Sequence, residues 1–305
     1  LFNMRSDLFT PSKPLSRLLL GAAQLGMPYG IANQTGLPDE PTVNAIFDEA
    51  FVAGIRIIDT AQHYGESERR IGKYLSENPD KSFSVISKLD PKLNALDKNM
   101  IIESVQKSHE MIGASLNAMM IHNMKWISSG IEKVKDALHY CINNEYVQAF
   151  GISVYSVGEF QYALNIEGLK LIQIPFNIFD RRFLASDLLN VAFNKGISVF
   201  IRSVFLQGLL IMPEQEAKTK VPGSSVALTK WHNLCRSMNY NPLDVALSYV
   251  LQCLPHAFVV VGCELPQQVI ENRIRESFQL PRSIIEEINS WQIPTENIIN
   301  PMHWR

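Results

Sequence analysis

Along most of the chain, short apolar runs rich in β-branched residues alternate with longer stretches whose apolar positions recur every three or four residues. The runs predict strands over 18–22, 56–60, 84–88, 118–122, 149–153, 171–175, 198–203 and 257–262. Such near-continuous hydrophobicity belongs to strands covered on both faces. Between the first two, 41–53 sets Val43, Ile46, Phe47, Ala50 and Phe51 on one helical face, and Gly54 follows as a stop. The same spacing predicts helices over 66–75, 99–112, 130–143, 157–165, 185–194, 242–252 and 266–275, with an extra C-terminal helix over 283–291.

Eight strand–helix pairs suit an α/β fold, a closed parallel (β/α)8 barrel occupying 17–295 as one domain. Residues 1–16 form an N-terminal segment and 296–305 a tail; Leu1–Asn3 read as additions ahead of Met4, a natural start. A doubly wound open sheet would need fewer strands and usually a glycine-rich first turn. No GxGxxG follows any early strand. Residues 212–240, rich in Lys, Glu, Pro, Gly and Ser, read as a long loop after strand seven that serves a site or is disordered.

Composition narrows the setting. A net charge of -2 gives no single-sign field, so neither nucleic acid nor an anionic membrane is an expected partner. The longest apolar runs fall far short of the ~20 residues of a membrane span. Cys141, Cys235, Cys253 and Cys263 form no CxxC and have no histidine at zinc-finger spacing, so they read as buried thiols in a reducing compartment. A cytoplasmic protein without a resident metal, a monomer or small homo-oligomer, is the expectation.

In such a barrel the chemistry gathers at the C-terminal ends of the strands. There the chain carries Asp59, Lys88, His122, Ser153, Gln173, Arg202 and Ser203, with Tyr64 just beyond Asp59. Each has an ordinary reading alone: a helix cap, a snorkelling lysine, a structural histidine, a surface tyrosine. Together they form a chain of causes. A carboxylate holds a buried lysine charged, and the ammonium is expected to lower the phenol's pKa and make it a usable proton donor. His122 can hydrogen-bond a carbonyl oxygen and orient it. A metal-dependent reading of Asp59, His63 and His122 is disfavoured, because Lys88 beside them would repel a cation.

The segment "GIRIIDTAQHYGESERRIGKYL" carries a G-x-R-x-x-D-T-A-x-x-Y-G-x-S-E pattern that resembles the aldo-keto reductases. "VISKLD", "MMIHNM", "FGISVY", "IQIPFNIF", "IRSVFLQGLL" and "VVVGCELPQQVIEN" follow in that family's order. The resemblance implies hydride transfer between a nicotinamide cofactor, NADP or NAD, and a small carbonyl or alcohol substrate. It makes Tyr64 the general acid or base, tuned by Lys88 and Asp59, with His122 positioning the carbonyl. It gives Ser153 and Gln173 to the carboxamide, and places Arg202 where many members stack an aromatic ring on the nicotinamide. Ser203, Phe205, Gln207 and Gly208 resemble the pyrophosphate-facing segment, Glu271 and Asn272 the pair facing the adenine. Gly21, Ala22 and Gly262 complete the implied cofactor cradle.

Two departures carry information. Val154 stands where many members have asparagine. Glu264 and Gln268 stand in a loop where a Lys or Arg often clamps the 2'-phosphate of NADPH. A carboxylate repels that phosphate and suits ribose hydroxyls, so strict NADP use is not expected unless a cation from 212–240 supplies the clamp. "LLLGAAQLGMPYGIANQTGLP" resembles a bacterial branch associated with sugar pathways, which implies carbohydrate metabolism. Substrate contacts are expected from Gln24, Tyr29, His63, Asn123, Trp126 and Phe179, with Trp304 in reach. A rival reading keeps the fold and drops turnover, as in relatives that bind the cofactor as regulatory subunits of a membrane channel.

Overall fold

A computed structural model describes residues 15–304 except 95, 123–124 and 127–129. Eight parallel strands close into a barrel in chain order: β1 Leu18–Gly21, β2 Ile57–Asp59, β3 Ser84–Lys88, β4 Leu116–Ile121, β5 Ala149–Ser153, β6 Leu171–Pro175, β7 Ser198–Arg202 and β8 Phe258–Gly262. Closure pairs β1 with β8, Gly21 opposite Gly262, so no strand edge is left open. The expected fold class is the observed one.

Alternate residues along each strand serve two cores. Leu18, Leu20, Ile58, Val85, Met119, Ile152, Ile172, Ile201 and Val259 face the surrounding helices in the larger cluster. Leu19, Ile57, Ile86, Ala118, Met120, Ala149, Leu171 and Phe200 form a separate cluster inside the barrel, joined by Phe258 and Val260. Phe200 and Phe258 stack there with ring centroids 5.3 Å apart. One step further along the inward-facing set come Gly21, Asp59, Lys88, His122, Ser153, Gln173, Arg202 and Gly262. The interior therefore changes from apolar filling to polar chemistry within one layer.

Helices Glu40–Val52, Ser67–Glu77, Lys98–Ile112, Ile131–Asn143, Val157–Ala163, Leu188–Asn194, Pro242–Cys253 and Pro266–Arg275 cover the strands, with Arg282–Ser290 as the extra C-terminal helix. The 212–240 stretch is not a loop. It folds as helices Glu214–Lys220 and Ser225–Met238. Leu228, Trp231, His232, Leu234 and Cys235 bury one helical face, and Trp231 Nε1 donates to the Leu210 carbonyl at 2.8 Å. Glu214 ties the pair together by accepting from Lys218, Thr229 and Arg236. The charged and glycine-bearing composition had hidden this apolar stripe. No helix among the described residues is long and apolar enough to cross a membrane.

Candidate active site

At the centre lies an ion pair that the barrel walls seal. Lys88 is 1% exposed and Asp59 5%. Lys88 Nζ donates to Asp59 Oδ1 at 2.8 Å, to Oδ2 at 2.7 Å and to the Thr60 carbonyl at 3.0 Å. Its three protons are thus committed. Gln173 Nε2 adds a bond to Asp59 Oδ1 at 2.9 Å. Full hydrogen bonding of both ions is what lets such a pair persist out of water.

Tyr64 stands above this pair on a loop fixed from several sides. Thr60 N donates to the Ile86 carbonyl and Gln62 N to the Lys88 carbonyl, which pins the exit of β2 to β3. Ser67 Oγ bonds both Thr60 Oγ1 at 2.7 Å and the Ala22 carbonyl at 3.0 Å. Glu68, buried, accepts from Ser87 Oγ and Ser108 Oγ. Gly65 has φ +54, and a Cβ there would lie 2.4 Å from the Gly26 carbonyl oxygen. A Cβ on Gly26 would lie 1.9 Å from the Tyr64 carbonyl oxygen. Only paired glycines permit this backbone contact. The conspicuous residues of the motif therefore build a mount for one phenol.

The electrostatics differ from the expectation. Lys88 Nζ sits 5.3 Å from the Tyr64 ring centroid, but it does not lower that phenol's pKa. Burial, then the Asp59 charge, raises it, and the guanidinium of Arg202 is the cation that opposes the rise. The three Lys88 protons are committed to Asp59 and the Thr60 carbonyl, so none is offered to the phenol. His122, edge-on to Tyr64 at 6.4 Å between centroids, is pushed down to about 3 by burial, then by Lys88, Arg202 and His63. It is a neutral imidazole at pH 7, fit to donate or accept one hydrogen bond.

A cleft of about 590 Å³ opens above these groups. Asp59, Tyr64, His122, Ser153, Gln173 and Arg202 line one end. Ser153 Oγ and Gln173 Oε1 are buried without partners. An acceptor and a hydroxyl left open side by side suit a primary carboxamide, which offers two N–H donors and a carbonyl. Along the cleft run Gly21, Ala22, Ser203, Phe205, Gln207, Gly208, Gly262, Glu264 and Gln268, all among the expected cofactor residues. Ser203, Leu206 and Gln207 have φ of 61, 50 and 53. Left-handed non-glycine residues cost ~1–3 kcal/mol each and gather at ligand clamps. Gln268 Oε1 accepts from the Glu264 and Leu265 N–H groups, and Thr35 Oγ1 lies 3.4 Å from Glu264 Oε2.

Gln24 and Tyr29 also line the cleft. Several expected contacts do not. Trp126 and Phe179 are buried in the helix-facing core, where apolar rings gain more than at a wet rim. His63 points to solvent, close enough only to oppose protonation of His122. Glu271 pairs with Arg275 at 3.1 Å, and Asn272 is buried with Nδ2 3.6 Å from Cys263 Sγ. Trp304 is occupied with the Asn297 carbonyl; Asn300, Pro301 and Met302 reach the cleft instead. Asn123 lies outside the described residues. Tyr155, Asn33, Gln34 and Glu216 line the cleft and were not expected. Tyr155 was legible two residues past Ser153, whereas Glu216 lay in the segment read as a loop. Among the described residues no group of three His, Cys, Asp or Glu is placed to hold a metal ion.

The chain belongs to the Aldo/keto reductase family, whose sequence model matches residues 17–293. It is similar to the D-threo-aldose 1-dehydrogenase of Pseudomonas sp, 24% identical over 88% of this chain and 94% of that protein. It is similar to the NADH-specific methylglyoxal reductase of Escherichia coli (strain K12), 26% identical over 87% and 91%. In fold it matches the glycerol dehydrogenase of Gluconobacter oxydans, with a TM-score of 0.72 at 22% identity, covering 93% of this chain and 94% of that one. It is accordingly an NAD(P)-dependent oxidoreductase of carbonyl compounds or sugars.

Proposed function

We propose that the protein interconverts a small carbonyl, an aldose or short aldehyde or ketone, and its alcohol, with Tyr64 as general acid in reduction and base in oxidation. The observation that carries this is the meeting of Asp59, Lys88, Tyr64 and His122 beside the unpartnered Ser153 Oγ and Gln173 Oε1. Ser153 and Gln173 would hold the nicotinamide carboxamide, and the strained 203–208 segment would face the pyrophosphate. A bound nicotinamide supplies or takes the hydride. Neutral His122 hydrogen-bonds the carbonyl oxygen and turns it toward the Tyr64 hydroxyl. Tyr64 delivers its proton to that oxygen in reduction. Lys88 and Asp59 hold the floor beneath the phenol in one arrangement and keep its surroundings dry.

NAD is the preferred cofactor in this reading. Glu264 and Glu216 line the cleft without pairing with Arg202, and Arg202 is the single Lys or Arg among the described lining residues. Of the cations that a loop over 212–240 might have offered to a 2'-phosphate, Lys218 and Arg236 pair with Glu214 instead, and Lys220 does not line the cleft. Lys230 lies over the Trp291 ring at 4.9 Å.

Tyr64→Phe tests the mechanism. Reductase activity toward aldoses and small aldehydes is expected to fall at least ~100-fold, while NADH binding, read by fluorescence, holds. Undiminished turnover would end the assignment. A ~100-fold advantage of NADPH over NADH in kcat/KM would overturn the cofactor preference.

A further inference from the structure

Arg202 leaves β7 as a lining residue of the cleft, and no carboxylate among the described residues neutralises it. Its Cζ stacks 4.2 Å from the Tyr155 ring centroid. Nη1 reaches Ser203 Oγ at 3.3 Å and Nη2 the Val154 carbonyl at 3.4 Å, both long bonds to neutral groups. Nε is buried without a partner. No carboxylate among the described residues pairs with it. Of the three acids that line the cleft, Asp59 is cancelled by Lys88, and Glu216 and Glu264 are not in contact with the guanidinium. With His122 neutral and Tyr64 protonated, this end of the cleft carries one uncompensated positive charge. Val154, which accepts from Arg202, directly follows Ser153, so the charge stands in the wall beside the carboxamide recess.

An oxidised nicotinamide ring carries a positive charge; the reduced ring is neutral. We propose that Arg202 sets the redox bias of the site, discriminating against the oxidised ring and so shifting the bound equilibrium toward oxidation of the alcohol. The inference rests on the cofactor reading above. In the favoured direction Tyr64, protonated at rest, first releases its proton to solvent; the alcohol's C–H bond then breaks with its electron pair going to the nicotinamide, and its O–H proton goes to the Tyr64 phenolate. Carbon is oxidised by two electrons and the nicotinamide reduced by two. Arg202 acts on the hydride half; by favouring the phenolate it makes that base more available and weaker in the same measure. Tyr155, by holding the guanidinium flat, keeps the charge from swinging out to solvent.

Binding measurements without turnover test this. Dissociation constants of NAD+, NADH and ADP-ribose are measured for the wild type, Arg202→Met and Arg202→Lys, with folding checked by melting. The wild type is expected to bind NADH at least tenfold more tightly than NAD+. Arg202→Met narrows that ratio by about tenfold, a shift of ~30 mV for a two-electron couple, and leaves ADP-ribose, which lacks the ring, unchanged. Arg202→Lys keeps most of the bias. If the methionine variant does not fold, Arg202→Gln replaces it, removing charge while keeping polarity. An unchanged NADH to NAD+ ratio in the neutral variant overturns the proposal. So does parallel weakening of all three ligands, which would assign Arg202 to the phosphates. Failure of the wild type to bind either dinucleotide would instead sink the cofactor reading, and this inference with it.

Discussion

The lower and upper layers of the barrel interior are built by the same strands, one alternation apart, and they obey opposite rules. Below, Leu19, Ile57, Ile86, Leu171 and Phe200 fill space without a polar atom. Above, Asp59, Lys88, Ser153 and Gln173 are buried to the same degree, yet their polar atoms are either saturated or left open toward the cleft. The difference teaches that burial does not separate core from site here. The hydrogen-bond ledger does: Lys88 is complete and structural, whereas Ser153 Oγ and Gln173 Oε1, in residues that line the cleft, are incomplete.

Lys88→Met gives the strongest test of that contrast. It keeps the stem and strips the charge, leaving the Asp59 carboxylate buried and unpaired at a cost of ~3–5 kcal/mol, measured by denaturant titration, with turnover lost as well. Adding Asp59→Leu should restore much of the stability and none of the turnover. Recovery of both would show that the upper layer is filler like the lower one. Phe200→Ala comes next. It opens a void in the lower layer for ~3–5 kcal/mol, but surviving folded protein should keep near-normal kcat at low temperature. A large kcat loss there would erase the division between layers.

Smaller effects sharpen the contrast along the cleft. Glu264→Lys should raise the NADPH to NADH ratio of kcat/KM by roughly tenfold, about 1.4 kcal/mol, while leaving the NADH kcat almost unchanged. The smallest effect is a pH response. His122 has a folded pKa of about 3 against an ordinary 6.5. Below about 6.5 the unfolded chain therefore takes up a proton that the folded one refuses, and stability falls as pH drops toward about 3. His122→Gln should lose less between pH 7 and pH 4, by on the order of 1 kcal/mol given partial exposure, read from the urea midpoint. Equal losses in both proteins would place His122 among ordinary solvated histidines.

Much of this was legible in the chain. Strands buried on both faces announce themselves as unbroken apolar runs, and a single polar residue ending such a run has few reasons to be there. Asp59, Lys88 and His122 stood out on that ground. What stayed hidden concerns direction and partnership. Trp126 and Phe179 follow strand ends just as Tyr155 does, but periodicity does not tell which way a loop ring turns. The presence of Lys88 near Tyr64 was readable, whereas the destination of its three protons depended on Thr60 offering a backbone carbonyl. The helices of 214–238 escaped because surface charges outnumber the few residues, Leu228, Trp231 and Cys235, that dock them.

The contact between Gly26 and Gly65 reaches beyond its own turn. Because the phenol's perch rests on backbone contributed by the first strand's exit, the motif that carries Tyr64 is not a transferable cassette. Grafted into another barrel without a matching bare backbone at the neighbouring crossing, it would be pushed off its seat. A methyl group added at Gly26, far from any reacting atom in sequence, would then masquerade as a chemical lesion.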